Sequence, residues 1–508
     1  MRSPLYVTAL ASLTLSTATG QDFGPRQILS GNSGGARSVY AVDLDGDGDA
    51  DVLSAGFNGK IAWFENQGGG VFGSLRIITQ SADGALSVFA VDLDGDGDAD
   101  VLSASWNDDK IAWYENQGGG SFGPQRVITT KTNGPRDVFA IDLDGDGDAD
   151  VLSASYYDSK IAWFENLGGG AFGPQQVITE SAAYAVSTFA IDLDGDGDAD
   201  VLSASGGGTD KIAWYENQGG GVFGTQQVIT TSVDGAEDVF AIDLDGDGDA
   251  DVLSASRWDH KIAWHENQGG GVFGPQQMIT TDARLAGAVF AIDLDGDGDA
   301  DVLSTSRMDD TIDWYENQGG GVFGPQRLIT DKTDEPMSIF ATDLDGDGDA
   351  DVLAASFDDN KIAWCENLMG SPACNIVFCD SDPDNRGDVT LSTCDCSAGS
   401  IFLSLSSSFS NQFTYPLVGL GTAAVSPTGV SQLCLSGSTI GRYSQDAGVI
   451  SGWGTFSIDL LNAASAPGGG VPTIGGALCN GNTWRFQYWH RDGMDPSRFS
   501  KGIQGMIN

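Results

Sequence analysis

Apolar positions in the first two thirds of this chain fall in short runs, each cut off by glycine, asparagine or aspartate. Val88-Phe89-Ala90-Val91 is followed by a polar stretch from Asp92 to Asp100, then by Asp100-Val101-Leu102-Ser103-Ala104-Ser105. A polar turn from Trp106 to Asp109 leads to Ile111-Ala112-Trp113-Tyr114-Glu115-Asn116. Gly118-Gly119-Gly120 turns the chain again, and Gln125-Arg126-Val127-Ile128-Thr129 closes the unit. Short runs rich in β-branched and aromatic residues predict strands. No 3.6-residue stripe competes with that reading in this part of the chain. Four strands per unit predict the antiparallel meander of a propeller blade.

The unit recurs. Its polar stretch begins at Asp43, Asp92, Asp142, Asp192, Asp243, Asp293 and Asp343, at spacings of 49, 50, 50, 51, 50 and 50 residues. A fixed period near 50 marks a repeat architecture. The last unit ends at Trp364-Cys365-Glu366-Asn367 and lacks a fourth run. A spare fourth run stands near the start, Phe23-Gly24-Pro25-Arg26-Gln27-Ile28-Leu29. Its Phe-Gly pair recurs at Phe72, Phe122, Phe172, Phe223, Phe273 and Phe323. The phase offset predicts a closed ring of seven blades, the last completed by the N-terminal strand so that no sheet edge stays open.

The polar stretch itself is Asp-Leu-Asp-Gly-Asp-Gly-Asp-Ala-Asp in every copy. Five carboxylates in nine residues repel one another and call for a cation. The candidate ligands are Asp43, Asp45, Asp47, Asp49 and Asp51; Asp92, Asp94, Asp96, Asp98 and Asp100; Asp142, Asp144, Asp146, Asp148 and Asp150; Asp192, Asp194, Asp196, Asp198 and Asp200; Asp243, Asp245, Asp247, Asp249 and Asp251; Asp293, Asp295, Asp297, Asp299 and Asp301; Asp343, Asp345, Asp347, Asp349 and Asp351. Ca²⁺, a hard ion taking about 6–8 oxygens, is the natural partner, with about seven sites. Side chains at loop positions one, three, five and nine would bind it, and position seven through its carbonyl. Glycine at position six, Gly97 in the second loop, permits the sharp turn. An EF-hand also begins Asp-x-Asp-x-Asp-Gly, but it requires Glu at position twelve and flanking helices. Ser103 stands at that position and strands flank the loop.

With 72 acidic and 24 basic residues the chain carries a formal charge of −48. Seven Ca²⁺ would return 14 of these charges. The remainder argues against nucleic acid or an anionic membrane as partner.

Asp-x-Asp-x-Asp-Gly-x-x-Asp between two strands, with one Phe-Gly pair per repeat of about fifty residues, resembles the FG-GAP repeats. These include the integrin α-subunit propeller and the bacterial FG-GAP-like (VCBS) repeats. The resemblance covers Gln21 to Asn367 and implies a seven-bladed propeller with calcium between the first two strands of each blade. The Gly-Ala-Pro half of the family name is not evident, which places the chain nearer the bacterial repeats. The family includes adhesion and carbohydrate-binding proteins, so the resemblance implies a binding role without fixing a ligand.

Blade topology sorts the connections. The acidic loop and the Gly-Gly-Gly turn share one face of the disc. The turns between second and third strands lie on the other and carry the variation between repeats: Phe57 to Gly59, Trp106 to Asp109, Tyr156 to Ser159, Gly206 to Asp210, Arg257 to His260, Arg307 to Asp310 and Phe357 to Asn360. That turn face is the expected recognition surface. Trp106, Tyr156, Tyr157 and Trp258 are its candidate ligand contacts, while the recurrent Trp63, Trp113, Trp163, Trp214, Trp264, Trp314 and Trp364 are expected in the core.

Residues 1–20 read as a secretory signal: Arg2, an apolar stretch from Leu5 to Leu15, and a small-residue site at Ala18-Thr19-Gly20. The mature chain is expected to have no membrane span and to be secreted, extracellular or at the cell surface. The pattern stops near Met369, and residues 370–508 read as a second, smaller β domain. Six of the seven Cys lie there: Cys374, Cys379, Cys394, Cys396, Cys434 and Cys479. In an exported chain they predict disulfides, with Cys365 of the last blade able to pair across the boundary. Asp380, Asp382, Asp384 and Asp388 repeat the one-three-five-nine spacing, but Pro383 and Asn385 break the turn. Arg386-Gly387-Asp388 matches an adhesion tripeptide and is set aside as a chance triplet.

The fold expected is therefore all-β, a seven-bladed β-propeller with a disulfide-containing β domain. With no nucleophile–base motif in view, the function expected is extracellular binding or adhesion toward a glycan or protein ligand. A polysaccharide hydrolase or lyase and a structural surface component are the alternatives.

Overall fold

In the computed structural model, residues 22–208 and 210–369 are described with their side chains, and beyond them the backbone of strands between Ile376 and Ile507. The chain enters through β1 (Gln27–Ser30). It then builds a first blade from β2 (Ala36–Val42), β3 (Asp51–Gly56), β4 (Lys60–Phe64) and β5 (Arg76–Thr79), hydrogen-bonded in that order. Five more sheets repeat this meander. The seventh contains Pro336–Thr342, Asp351–Ser356 and Lys361–Cys365, and its fourth strand is β1. β1 runs antiparallel to Lys361–Cys365, with Gln27 opposite Trp364 and Ile28 opposite Ala363. The ring closes as the phase offset predicted.

The first strand of each blade lines the channel, and its seven counterparts start at Ala36, Ala85, Pro135, Ala185, Ala236, Ala286 and Pro336. In the second blade it runs Ala85–Val91, three residues longer at its start than the apolar run Val88–Val91. Of the added residues Ala85 is buried in the core between blades, and Ser87 bonds sideways to the next blade, so no apolar run marks them. Tyr40, Phe89, Phe139, Phe189, Phe240, Phe290 and Phe340 project into the channel as a closed ring, with successive centroids 4.8–5.0 Å apart. Tilted contacts at this spacing suit the aromatic quadrupole.

The cores lie between blades. One joins Leu53, Ile61 and Trp63 of the first blade to Val88, Ala90, Val101 and Tyr114 of the second. The seven third-strand Trp are buried, as expected. Each meets the Phe of a Phe-Gly pair edge-on: Trp63 with Phe122 at 6.3 Å, and so on around to Trp364 with Phe72 at 6.1 Å. The seventh contact is supplied from the N-terminus, Phe23 against Trp314 at 6.4 Å. The third glycine of each Gly turn lets this edge approach. Gly120 has φ +66°, and a Cβ there would run into the Trp63 ring.

Cys365 is a free, buried thiol, which corrects the expectation that it pairs across the boundary. It occupies the strand position held by Phe64, Tyr114 and Tyr315 in other blades, all core positions. Burial pushes its pKa up to about 11. Beyond the propeller, Asn482–His490 pairs antiparallel with Arg498–Ile507 and with Phe413–Gly419. A second sheet joins Asp388–Leu391, Phe402–Ser406 and Thr455–Asp459. The side chains of the six remaining Cys, the Asp380–Asp388 ligand set, the Arg-Gly-Asp triplet and the signal segment 1–20 lie outside the described residues. No helix among the described residues is long and apolar enough to cross a membrane.

Ring closure rests on few residues. Phe23 is 2% exposed, Gly24 N donates to Glu366 O at 2.7 Å, and Leu368 N donates to Asp22 O at 2.9 Å. Phe23→Ala is expected to cost about 3–5 kcal/mol, read as a shifted urea midpoint. Deleting residues 21–30 exposes the edge of the last blade. It should yield aggregates or domain-swapped oligomers by size-exclusion chromatography.

Candidate functional site

Each acidic loop connects the first and second strands of its blade, and the same scaffold recurs in all seven. In the second loop Asp92, at position one, accepts Gly95 N at 2.7 Å and Gly97 N at 2.9 Å. Asp96, at position five, accepts Asp98 N at 3.0 Å. Gly95 and Gly97 have φ +80° and +95°, where a side chain would be strained. The glycines fold the loop so that its carboxylates converge. Ligand oxygens of Asp92, Asp94 and Asp96 lie within 4.8 Å of one another, and so do those of Asp43, Asp45 and Asp51 in the first loop.

Position nine has a second role that the spacing did not reveal. Asp100 is wholly buried. Its Oδ2 accepts Leu93 N at 3.0 Å and its Oδ1 accepts Asn116 N at 2.7 Å, so one carboxylate ties the loop to the end of the third strand. The Asn116 amide then donates to Ala99 O in its own blade at 3.1 Å and to Leu44 O in the preceding blade's loop at 2.7 Å. The Asp–Asn pair recurs around the ring and closes through Asn66 to Leu344 O at 2.7 Å. The asparagines were legible as a repeated Glu-Asn after each third-strand Trp, but nothing in the sequence marked them as bridges between blades.

Position seven behaves differently from the other acids. The Asp98 side chain lies beside Gly118 of its own glycine turn, 3.4 Å from where a Cβ would stand. Asp49, Asp148, Asp198, Asp249 and Asp299 take the same place beside their glycines.

The loops fit a cation. In the first two loops Asp45 Oδ1 and Asp94 Oδ1 at position three are buried with no partner at hydrogen-bond distance, whereas in the other five the same oxygen accepts the position-five N–H, as Asp144 accepts Asp146 N at 3.2 Å. An ionised acceptor left without a partner is costly unless a positive charge meets it. Every donor in the cluster is a hard oxygen, the set that suits Ca²⁺ or Mg²⁺ over softer metals. Burial raises the pKa of Asp94, and the neighbouring charge of Asp96 adds to it, with smaller contributions from Glu115 and Asp92. Burial lifts Asp100 to about 7 against the pull of its two backbone N–H groups. Asp200 rises to about 6 and Asp351 to about 8 for the same reason.

The opposite face holds the variable turns, and the structure sorts its candidates. Trp106 and Tyr157 lie 4.9 Å apart, Trp106 and Tyr156 5.4 Å, and Tyr156 and Tyr157 5.3 Å. Tyr184, from the loop entering the next blade and unnoticed in the sequence, joins Tyr156 at 4.9 Å. These four rings form one cluster, with Tyr157 58% and Tyr184 41% exposed. Trp258 is 57% exposed but stands apart, stacked on Arg257. His260 belongs to the scaffold, since its Nδ1 accepts Leu285 N at 3.1 Å. Asp109, Asp310 and Asn360 hold the equivalent loops by accepting Gly134 N, Glu335 N and Gly35 N.

The raised position-nine values have a definite sign. Each folded value lies above the ordinary carboxylate value of about 3.9, so the metal-free fold binds protons that the unfolded chain releases. That stability is fully present below about pH 4 and is lost as pH rises through the folded values near 6 to 8. The melting temperature of chelator-treated protein should therefore fall between pH 5 and pH 8. Asp100→Asn should flatten part of that fall, whereas Asp100→Ala should lower the melt at every pH by unbinding Leu93 and Asn116.

The FG-GAP-like repeat family matches residues 43–103, 92–153, 142–203, 192–254, 243–304 and 293–354, well over half of the chain. No curated protein matches it. Among solved structures, a lectin from Agrocybe aegerita that recognises non-reducing terminal N-acetylglucosamine is 21% identical, covering 65% of this chain and 85% of its own, with a TM-score of 0.47. BBS1N, solved in complex with ARL6DN, is 12% identical over 68% of this chain and 97% of its own, with a TM-score of 0.47. The BP39L lectin from Burkholderia pseudomallei is 19% identical over 66% of this chain and 96% of its own, with a TM-score of 0.51. At 19% identity the BP39L match shows a likeness of fold alone. The repeated acidic loops, the Phe-Gly contacts and the seven-bladed ring are those of one family, and this chain belongs to the FG-GAP-like repeat proteins.

Proposed function

We propose that this chain is a secreted, calcium-loaded propeller that binds carbohydrate on its turn face. The observation that carries the reading is the cluster of Trp106, Tyr156, Tyr157 and Tyr184. Four aromatic rings drawn from three blades, two of them more than 40% exposed, form a stacking surface that a folded core does not need. Sugar rings present apolar C–H faces that stack on such platforms, while their hydroxyls use nearby polar groups. The BP39L lectin uses the same fold, so the architecture tolerates that use.

In this reading the acidic face is scaffold. Each loop holds one Ca²⁺ through the side chains at positions one, three, five and nine and the carbonyl at position seven. Residues 1–20 direct export to a compartment where calcium is about millimolar and disulfides persist. Residues 370–508 form a separate β domain whose six Cys pair there. Calcium binding adds stability as RT ln(1 + [L]/Kd) for each site, about 2.7 kcal/mol at a hundredfold excess. Summed over seven loops, even modest occupancy is a large fraction of a typical stability of about 5–15 kcal/mol.

Two experiments separate the roles of the faces. EGTA should lower the melting temperature steeply at pH 7.5, and readdition of Ca²⁺ should restore it; an unchanged melt refutes the calcium loops. On a glycan array the calcium-loaded chain should be retained, and Trp106→Ala with Tyr157→Ala should weaken retention tenfold or more while leaving the calcium-dependent melt intact. Asp94→Ala should do the reverse. Cleavage of an arrayed glycan would instead favour the enzyme reading.

A further inference from the structure

The turn-face mouth of the central channel gathers cations in a chain whose formal charge is −48. A cavity of about 160 Å³ opens there, lined by the starts of the innermost strands. Arg37, Arg136 and Arg307 line it, and Arg257 lies close enough to act on Arg37's neighbours electrostatically. Among the described residues two glutamates pair with them. Glu237 accepts from Arg136 at 3.2 Å and from Arg307 at 3.1 Å, and Glu335 accepts from Arg307 at 2.6 Å. Arg37 makes no ion pair among the described residues. It lies 3.8 Å over the Phe357 ring and reaches Met337 Sδ at 3.5 Å. The Nε atoms of Arg37, Arg257 and Arg307 are buried without hydrogen-bond partners.

The two acids beneath the arginines are already engaged. Asp137 accepts Ser87 Oγ at 2.8 Å and Thr188 N at 3.0 Å, and Asp238 accepts Ser187 Oγ at 2.8 Å and Val289 N at 3.0 Å. They belong to a band in which a side chain of one blade holds a backbone N–H of the next. Burial raises both pKa values, Asp238 to about 7, and Arg136 acts in the opposite direction on Asp137. The aromatic ring of the channel lies deeper, and the acidic loops lie beyond it at the far ends of the same strands. Four to five residues of strand, about 15 Å, separate cavity and loops. The cavity thus sets three arginines, two of them with buried and unpartnered Nε atoms, around a polar floor.

We infer that this mouth binds the carboxylate of an acidic sugar, with Arg37 and Arg136 holding the acid group and the adjoining aromatic cluster stacking the sugar ring. The two features are contiguous, since the Arg136 guanidinium lies 5.7 Å over the Tyr156 ring. A carboxylate suits the site because guanidinium offers a planar pair of donors. The cavity is of monosaccharide size, and its floor of hydrogen-bonded Ser and Asp side chains is polar. This inference rests on the carbohydrate-binding reading and specifies the ligand class and the place.

The test is equilibrium binding of glucuronate, galacturonate and mannuronate to the calcium-loaded full chain, with glucose and inorganic sulfate as controls. At least one uronate should bind, weakening as NaCl is raised, while glucose and sulfate bind at least tenfold less tightly. Arg37→Gln should reduce uronate affinity about tenfold or more, the loss of a charge-assisted contact. Arg136→Gln, which leaves Arg37 in place, is the second variant should the first fail to fold, and it should act in the same direction. Both should keep the calcium-dependent melt. Failure of every uronate to bind, equal binding of glucose or sulfate, or full affinity in a folded variant overturns the inference. Retention of neutral glycans together with no uronate binding overturns it while leaving the carbohydrate-binding reading in place. An empty glycan array overturns both.

Discussion

The buried carboxylate at loop position nine is the contact on which the rest of the propeller depends. Asp100 accepts two backbone N–H groups that would otherwise be orphaned in the interior, one from the loop and one from the end of the third strand. By fixing Asn116 it also fixes the amide that reaches the preceding blade. One residue therefore couples the shape of the acidic loop, the end of a sheet and the seam between two sheets. The cost is a carboxylate withdrawn from water, which is why its pKa climbs to about 7. A metal ion bound in the loop would offset that cost and stiffen the seam at once.

Blade seams otherwise repeat a small set of contacts. A Trp edge meets a Phe-Gly ring, a glycine without Cβ allows the approach, and an Asn amide bridges the loops. Since every seam uses the same parts, the ring needs an identical seam at its closure. Phe23 supplies the seventh aromatic contact, and β1 supplies the seventh outer strand. Along the channel wall the pattern is less uniform. Ser38, Ser87, Asp137, Ser187, Asp238 and Ser338 each hold a backbone N–H of the following blade, but Ala288 cannot. This variation sits on the turn side, next to the arginines, where uniformity is not needed for the loops.

The two faces thus follow different physical logic. On the acidic face, charge repulsion and backbone satisfaction leave no freedom, and all seven loops are identical. On the turn face, one polar residue per turn, such as Asp109, His260 or Asn360, secures the loop into the next blade. The remaining turn positions are free to differ. Trp106, Tyr156 and Tyr157 use that freedom to collect at one side of the channel mouth, next to Arg136.

The sequence by itself determined the strand count, the seven blades, the closure by the N-terminal strand and the convergence of acids in each loop. These follow from local chemistry repeated at a fixed period: alternating apolar runs, glycines where φ must be positive, and carboxylates at turn spacing. Tertiary structure alone decided which residues meet across blades. Asn116 and Leu44 stand 72 residues apart, and Arg307 and Glu237 70 apart, so no local pattern announces either contact. The same holds for Cys365, which the sequence offered for pairing and the core instead encloses, and for Tyr184, which joins the aromatic cluster only once two blades are set side by side. Repeats specify their own fold locally, whereas a site drawn from the differences between repeats exists only after the ring has closed.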